Sequence, residues 1–575
     1  MFQRGLHVWI CLGACLAAGA SAALAAGEQT TKPATRPRPV KVKVTLSRQT
    51  TYILGPVRKD GTPDYVAWVN AKLSKGVTPK NNAVVLLVRA IGPEMLSKPT
   101  AAKTLKRLGL ASLPEKGEYF VPLKDYVEKH APKEKVKPPP GLEQLQGKLA
   151  PEELARIRAA AQRPSEAQAQ AEKHRDEAIK APWSAKQYPM IAGWLKANVK
   201  PLALAMAAAK RPRYYLPLVS ESDPPTMFGV LLPGMGRVRS AARAIAARAM
   251  YTLGRGNADA ARADLLAMHR LARLVARGPT LVEQLVGIAI DSLACEAVQG
   301  LAGSGKLSAA QAKAVLRDLA SLRPVDDVKR SIDHCERFFV LDAVMVCARD
   351  VLRKYPKLQK HQFDWDRILK RFNAYYDRLA AAFDKETFAA RREAFAAWDR
   401  DLQKLAERRP PVMEAADAVY RIAKLVLFTP RIKVLRRKLT DRVGDVLLSL
   451  LLPSLGAASV IQDRCTMQLE LARLSLALAA YRKEKGAYPA KLAELCPGLM
   501  KTIPKDIFTV KPLIYRRRGK GYVLYSVGEN RRDDGGLKDG DEKDDIAVRV
   551  EGSYRRRAGC HRAGQGPRLN RAVRA

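Results

Sequence analysis

Apolar residues recur at helical spacing through most of this chain, and that pattern limits the fold more than any other feature. Between residues 142 and 440 the apolar stretches are separated by short polar, Gly or Pro breaks, and Ser308 opens one of them. Residues three and four apart share one face of a helix, so these stretches predict helices with a buried side. No repeat length persists along the region, which favours an irregular helical array over a regular solenoid. One such stretch contains Leu265, Leu266, His269, Leu271, Leu274 and Val275.

The last part of the chain has a different pattern. A helical pattern runs through Glu470–Tyr481 and ends at Gly486, after which Tyr488 and Pro489 turn the chain. Gly519 and Gly521 then indicate a hairpin between two short strand-like segments. The sequence therefore predicts a long helix packed on a small antiparallel sheet. The predicted strands span residues 513–516, 521–526 and 546–550.

This order of elements resembles the globular domain of the major pseudopilins of type II secretion. The matching motifs are Ser526-x-Gly528, Gly535-Gly536 and Asp545-Ile546, and a Leu-Leu-Pro run at 451–453 is similar to part of a pilin stem. The resemblance implies a pilin-like head that docks to secretion or pilus-like machinery. The processed Gly-Phe-Thr-x-x-Glu segment of pseudopilins does not stand before Leu451. We therefore expect an appendage rather than a polymerising subunit.

In the pseudopilin family the last loop holds a calcium ion. The resemblance implies a calcium site here at Asn530 and Asp545, completed by backbone carbonyls near Tyr525. Calcium takes six to eight oxygen ligands, and other loop carboxylates could contribute. Asn530 stands where the family has Asp, and the loop is longer than in the family. A solvated acidic loop without an ion is the alternative. The other carboxylates are Asp533, Asp534, Asp539, Asp541 and Asp544.

The N-terminus has the pattern of a secretory signal peptide. Arg4 precedes an apolar stretch, and Ala23-Leu24-Ala25 provides a small-x-small cleavage site. Anchoring as a lipoprotein through Cys15 is the alternative. Either interpretation places the mature protein outside the cytoplasm, in the periplasm or cell envelope. The region after the linker resembles parts of large exported bacterial proteins, which implies no particular activity.

The predicted organisation has six segments. The segments are a signal peptide at 1–25, a Pro-rich linker at 26–43, a small mixed region at 44–136, a helical array at 142–440, a pseudopilin-like domain at 441–551 and a disordered basic tail at 552–575. The predicted fold class is thus mainly α, an irregular helical array with a C-terminal α+β head. Val446–Ile461 is apolar, but Pro453 interrupts it and it is shorter than the roughly 20 residues that span a bilayer. We read it as a buried helix.

The charge of the chain is strongly positive. The formal net charge is +44 and the isoelectric point is about 10.1. Such an excess is compatible with anionic polysaccharide or an anionic membrane as partner, or with an ordinary solvated surface. No zinc finger or stacked-aromatic motif accompanies it, so we expect no specific nucleic-acid partner.

The sequence contains no recognisable catalytic motif. We find no GxSxG, HExxH, Walker loop or GxGxxG in a strand–helix context. His269 and His334 are interpreted as core or surface residues. Two acid pairs, Asp291 with Glu296 and Asp326 with Asp327, are better explained as helix caps and solvated faces. The six cysteines beyond the leader have no CxxC spacing, so no zinc site is expected.

The leading hypothesis is an exported, non-enzymatic envelope protein whose partners belong to secretion or pilus-like machinery. A periplasmic hydrolase is the second hypothesis, and it requires a cleft where His269 or His334 meets an acid from another helix. A binder of anionic polymers is the third. No catalytic residue or cofactor other than calcium is predicted.

Overall fold

The computed structural model describes most of the chain in segments. These are residues 40–131, 166–356, 364–407, 419, 421–422, 424–425, 433–452, 455–539 and 543–550. The predicted signal peptide, most of the Pro-rich linker and the predicted basic tail lie outside the described residues.

The prediction of a mainly helical protein with a C-terminal α+β region is confirmed. A single π-helical turn, Ile332–Glu336, joins the helix that ends at Ser331 to the helix that begins at Arg337. The helices are α1 (Tyr65–Leu73), α2 (Ala83–Ile91), α3 (Ala101–Leu108), α4 (Leu123–His130), α5 (Glu166–Lys180), α6 (Pro189–Ala197), α7 (Val199–Ala208), α8 (Met235–Gly254), α9 (Ala258–Val275), α10 (Leu281–Gly303), α11 (Ala309–Ala320), α12 (Val328–Ser331), α13 (Arg337–Lys354), α14 (Trp365–Phe383), α15 (Phe388–Glu407), α16 (Lys433–Leu451) and α17 (Gly456–Lys485).

Local signals set the ends of the helices that matter most for the site. Thr280 and Glu283 form a capping box at the start of α10, each side chain accepting a backbone N–H of the other residue. Ser308 and Gln311 do the same for α11, as the sequence indicates for Ser308. Gly486 ends α17 in the left-handed conformation with φ of 79°, which a residue with a Cβ adopts less readily.

Two apolar cores lie side by side, and α10 and α17 contribute to both. The first core is formed by α2 to α11, α17 and the sheet. The second is formed mainly by α1 and by α13 to α16. Within α10, Ile290 belongs to the first core and Ile288 to the second. These two helices therefore form the junction of the molecule.

The sheet has the three predicted strands. They are β1 (Ile514–Arg518), β2 (Gly521–Ser526) and β5 (Ile546–Val550), in the antiparallel order β1-β2-β5. The short strands β3 (Lys538–Asp539) and β4 (Lys543–Asp544) pair beside them. Tyr525 lies opposite Ile514 on one side and Ala547 on the other. Every residue of the central strand β2 is buried.

Helix α17 packs against the sheet and against the preceding helices. It contacts β2 and β5, and it also contacts α10 and α11 along much of its length. Residues 474–480 are buried without a break, which is typical of a helix covered on all sides. One core therefore joins the predicted domain 441–551 to the helical array. The division at residue 440 stays a prediction, and a fragment beginning at 441 would expose the face of α17 that α10 and α11 cover.

Close approach of α10 to the end of α5 depends on a glycine. A Cβ added at Gly300 would lie 2.2 Å from the backbone oxygen of Lys180, nearer than atoms can approach. We expect Gly300→Ala to lower the free energy of unfolding by about 1–3 kcal/mol, because the helices must separate. Gly236→Ala is the matched control, since nothing lies within 4 Å of its added Cβ. Chemical denaturation measures both, and an equal effect would show that the close contact is absent.

Candidate functional site

Five ionisable side chains meet at the junction of the two cores. His269 and Arg273 lie one turn apart on α9, Asp291 and Cys295 lie one turn apart on α10, and Cys465 comes from α17. Residues four apart share a helix face, so each helix presents two of its side chains together. All five are buried, with exposed fractions between 0% and 7%. We refer to these five residues as the buried polar cluster.

Asp291 is the central acceptor of the cluster. Its Oδ1 accepts hydrogen bonds from His269 Nδ1 at 2.6 Å and from Arg273 Nη1 at 2.5 Å. Its Oδ2 accepts a weak bond from the Cys465 thiol at 3.7 Å. Arg273 Nη1 also donates to the His269 backbone oxygen at 2.9 Å. The buried carboxylate on α10 is thus paired with cationic or donor groups from both α9 and α17.

The electrostatics of the cluster follow from burial and from this pairing. Burial alone would raise the pKa of Asp291, but His269 and Arg273 outweigh it and hold that pKa below its ordinary value. Burial, assisted by the Asp291 charge, raises the pKa of both Cys295 and Cys465 well above the ordinary value. Asp291 is therefore ionised at neutral pH, and both thiols keep their protons.

The cluster also contains polar atoms without partners. Within the described residues, His269 Nε2 and Arg273 Nη2 are buried and have no hydrogen-bond partner. One ligand-type atom each from His269, Asp291 and Cys295 lies within 4.8 Å of the other two. In the part of the chain that the structure describes, this is the group of three that could hold a metal ion.

Two open grooves on the surface do not reach this cluster. The first has a volume of about 310 Å³ and the second about 340 Å³. The first groove is lined by Glu386, Thr387, Thr466, Met467, Glu470, Lys505, Asp506, Ile507 and Val510. The second is lined by Lys103, Lys106, Arg107 and Val219. His269 thus meets an acid from another helix, as the hydrolase hypothesis requires, but it does so inside a packed core.

His334 lies elsewhere, on the surface. It is exposed in the π-helical turn, its Nδ1 lies 3.2 Å from the Arg330 backbone oxygen, and its ring stacks on Trp68 with centroids 6.3 Å apart. The interpretation of the two histidines as core and surface residues agrees with these positions.

The acid pairs noted in the sequence are not juxtaposed for chemistry. Asp291 is buried, whereas Glu296 is half-buried and lies 3.5 Å from Lys180 Nζ. Asp327 caps α12 through the Lys329 N–H, and Asp326 forms an ion pair one turn along the helix. The interpretation as a helix cap or a solvated residue is wrong for Asp291, which is fully buried and accepts hydrogen bonds from His269 and Arg273. It fits the other three acids.

In the C-terminal loop, both predicted calcium ligands contact the same neighbouring residue. Asp545 Oδ2 accepts the N–H groups of Asp534 and Gly536, at 3.1 and 2.7 Å. The Asn530 amide donates to Asp534 Oδ2 at 2.9 Å, and its Oδ1 accepts the Arg532 N–H at 2.7 Å. Asn530 and Asp545 therefore both contact Asp534, which the sequence did not single out from its neighbours.

Asp545 and Asn530 differ in whether a side-chain oxygen is free to bind calcium. Asp545 Oδ1 is buried and has no hydrogen-bond partner within the described residues, so an oxygen is free for a cation. Burial, with a further contribution from Asp534 and Asp533, raises the pKa of Asp545 to about 6. Asn530 Oδ1, in contrast, already accepts a backbone hydrogen bond. Tyr525 lies in β2 and directs its hydroxyl to Asp533 Oδ1 at 2.7 Å. Calcium binding stays a prediction, with Asp545 as its main ligand.

Calcium is expected to stabilise the full-length protein through Asp545. At about 100 times its dissociation constant, a ligand of the native state adds about 2.7 kcal/mol to the free energy of unfolding. The carboxyl gains a proton as pH falls through about 6, so the gain should shrink between pH 7 and pH 5. Thermal unfolding with and without calcium measures it. Asp545→Asn should abolish the response. Asp401→Asn, which changes a half-buried acid on α15, should keep it, and equal responses of the two variants would contradict the site.

Comparisons with known proteins identify no relative of this chain. The chain matches no protein-family model, no curated protein and no solved structure. The fold defines only a class, a mainly α protein with a C-terminal α+β region. The likeness to pseudopilins therefore stays a prediction from the residues quoted above.

Within the part of the chain that the structure describes, two stretches are long and apolar enough to cross a membrane. They are Leu281–Gly303 and Val434–Lys485, whose most apolar windows are 61% and 50% buried inside the protein. Core helices of soluble proteins meet the same criteria of length and composition. Residues Val446, Leu447 and Leu448 are buried, as expected of a helix that packs in a core. Pro453 lies outside the described residues.

Proposed function

We propose that this protein is an exported, non-enzymatic component of the cell envelope. Its helical region serves as a scaffold, and its C-terminal helix and sheet dock to secretion or pilus-like machinery. The observation that carries the proposal is the order of α17, turn, β1, β2 and β5, which follows the order that the pseudopilin resemblance implies. Burial of His269 and Asp291 supports a role without acid–base catalysis, because no substrate reaches a side chain in a closed core.

Strand β1 is the part of the C-terminal unit that best suits docking. It lies at one edge of the three-stranded sheet, and an edge strand offers backbone groups to a partner strand. Arg516, Arg517 and Arg518 follow one another along it and are exposed. An acidic extended segment of an envelope protein would complement both the backbone and the charge of this strand.

The test combines localisation with crosslinking of the full-length chain in cells. The proposal predicts a mature N-terminus after Ala25, recovery in the periplasmic or envelope fraction, and crosslinks from a photoreactive residue at position 518 to a component of the secretion or pilus machinery. The same residue at Lys196, an exposed site on α6, is the control. An uncleaved cytoplasmic protein, or identical crosslinks from both sites, would refute the proposal.

Binding of an anionic polymer is a second candidate, favoured by one feature of the surface. The second groove is lined by Lys103, Lys106 and Arg107, and within the described residues no ion pair joins any of the three to an acid. Retention on immobilised heparin tests this candidate. Replacing these three residues with Glu should weaken retention more than the same change at three scattered exposed cations, Lys59, Lys196 and Arg270. Equal loss would mean that only the overall charge matters.

A further inference from the structure

We propose that the buried polar cluster is a binding site for a thiophilic divalent cation of the zinc class. His269, Asp291 and Cys295 would be the ligands, and Cys465 would complete the set from α17. An imidazole nitrogen, a carboxylate oxygen and thiolate sulfurs are the ligand types that zinc takes in four-coordinate sites. The sequence spacing gave no sign of such a site, because its ligands come from three separate helices.

The distances bring these ligands near the required geometry. Three ligand atoms lie within 4.8 Å of one another, and the Cys465 sulfur lies 3.7 Å from Asp291 Oδ2. Zinc–ligand bonds of about 2.0–2.3 Å place tetrahedral ligand atoms about 3.5 Å apart. Uptake of the ion therefore requires the longer separations in the cluster to shorten and the His269 Nδ1–Asp291 Oδ1 hydrogen bond, at 2.6 Å, to open.

The surrounding groups suit a bound ion in two ways. Arg273 holds Asp291 Oδ1, which leaves Oδ2 available and fixes the orientation of the carboxylate, as outer-shell partners of metal ligands do. His269 Nε2 is buried with no partner among the described residues, and a buried unpaired polar atom is a place where an ion or water is expected. The metal-free cluster is thus not fully satisfied by its own contacts.

Charge balance is preserved when the ion enters. Cysteine binds a metal ion as the thiolate, so Cys295 and Cys465 must each lose a proton when the ion enters. Binding forms two metal–sulfur bonds and releases the two thiol protons to solvent, so a dication replaces two protons and the buried net charge does not change. Affinity should therefore rise with pH, with two protons released for each ion bound.

The experiment uses the full-length protein, reduced, freed of metal by a chelator and then dialysed against zinc or cobalt. The proposal predicts about one ion per chain, thiolate-to-cobalt charge-transfer absorption and a higher melting temperature with metal. Cys295→Ala should lower the affinity at least about tenfold, and Cys465→Ala should also weaken it. Because a buried free Cys behaves as a small apolar residue, both variants should fold.

Cys335→Ala is the matched control. Cys335 is also buried, with 1% of its surface exposed, but it lies outside the cluster. The control should bind metal like the wild type. The proposal is overturned if the wild type retains no metal, if Cys295→Ala and Cys335→Ala bind equally, or if mass spectrometry of the native protein finds Cys295 and Cys465 joined in a disulfide.

Discussion

Asp291→Ala is expected to lower the free energy of unfolding by about 3–5 kcal/mol. The substitution removes the carboxylate that accepts hydrogen bonds from both His269 and Arg273, and Arg273 then stays buried without a counter-charge. An uncompensated charge inside a core costs far more than the pair contributes when it is intact. Denaturant titration in the presence of a chelator measures the loss independently of any bound metal.

Asp318→Ala is the control for this prediction. Asp318 accepts from Arg262 at 2.6 Å, but the two side chains are 22% and 34% exposed. An ion pair that water reaches contributes about 0–1 kcal/mol. If the two alanine variants lose equal stability, the Asp291 carboxylate is not buried as the structure has it.

The second large effect is a dependence of stability on pH that comes from two buried glutamates. Glu283 lies in the first turn of α10 and accepts hydrogen bonds from Thr280 and from the Tyr214 hydroxyl. Glu336 ends the π-helical turn and accepts the N–H of Leu281, the first residue of α10. Burial raises the pKa of each carboxyl to about 7, an effect that these hydrogen bonds only partly offset.

The sign of the dependence follows from the direction of these shifts. The ordinary value is 4.5, so both carboxyls hold a proton more firmly in the folded protein. Their contribution to stability is fully present below pH 4.5 and is lost as pH rises through about 7. A shift from 4.5 to about 7 corresponds to about 3 kcal/mol for each group.

Amide variants isolate this contribution. Glu283→Gln and Glu336→Gln cannot ionise, so the difference in unfolding free energy between pH 5 and pH 8 should become smaller than in the wild type, by up to about 3 kcal/mol for each variant. Glu118→Gln, which changes a glutamate 70% exposed beside Lys200, should leave that difference unchanged. Parallel pH profiles for all four proteins would exclude the assignment.

The elements of the C-terminal region follow closely from the sequence. The predicted strands at 513–516, 521–526 and 546–550 are observed at 514–518, 521–526 and 546–550, and α17 ends at Gly486 as expected. These features depend on alternation, on glycines and on caps, all of which act between residues a few positions apart. Local signals of this kind are readable in one chain without a structure.

The buried polar cluster could not be predicted from local sequence signals. The only sequence signs of it are two pairs of residues four apart, His269 with Arg273 and Asp291 with Cys295. Nothing local indicates that α9 and α10 face each other through these pairs, or that Cys465, 174 positions after Asp291, joins them. Calcium binding at Asn530 and Asp545 stays a prediction, and their shared neighbour Asp534 emerged only from the fold.

The sequence by itself determined the helical class, the C-terminal end of α17 and the three strands, because periodicity, capping and turn residues act over a few positions of the chain. The tertiary structure decided which faces are buried. It placed α10 and α17 in both cores, enclosed Asp291 and two thiols there, and covered α17 on both sides. Burial and the pKa shifts that follow from it are set by atoms from distant segments, so they exist only once the helices have packed.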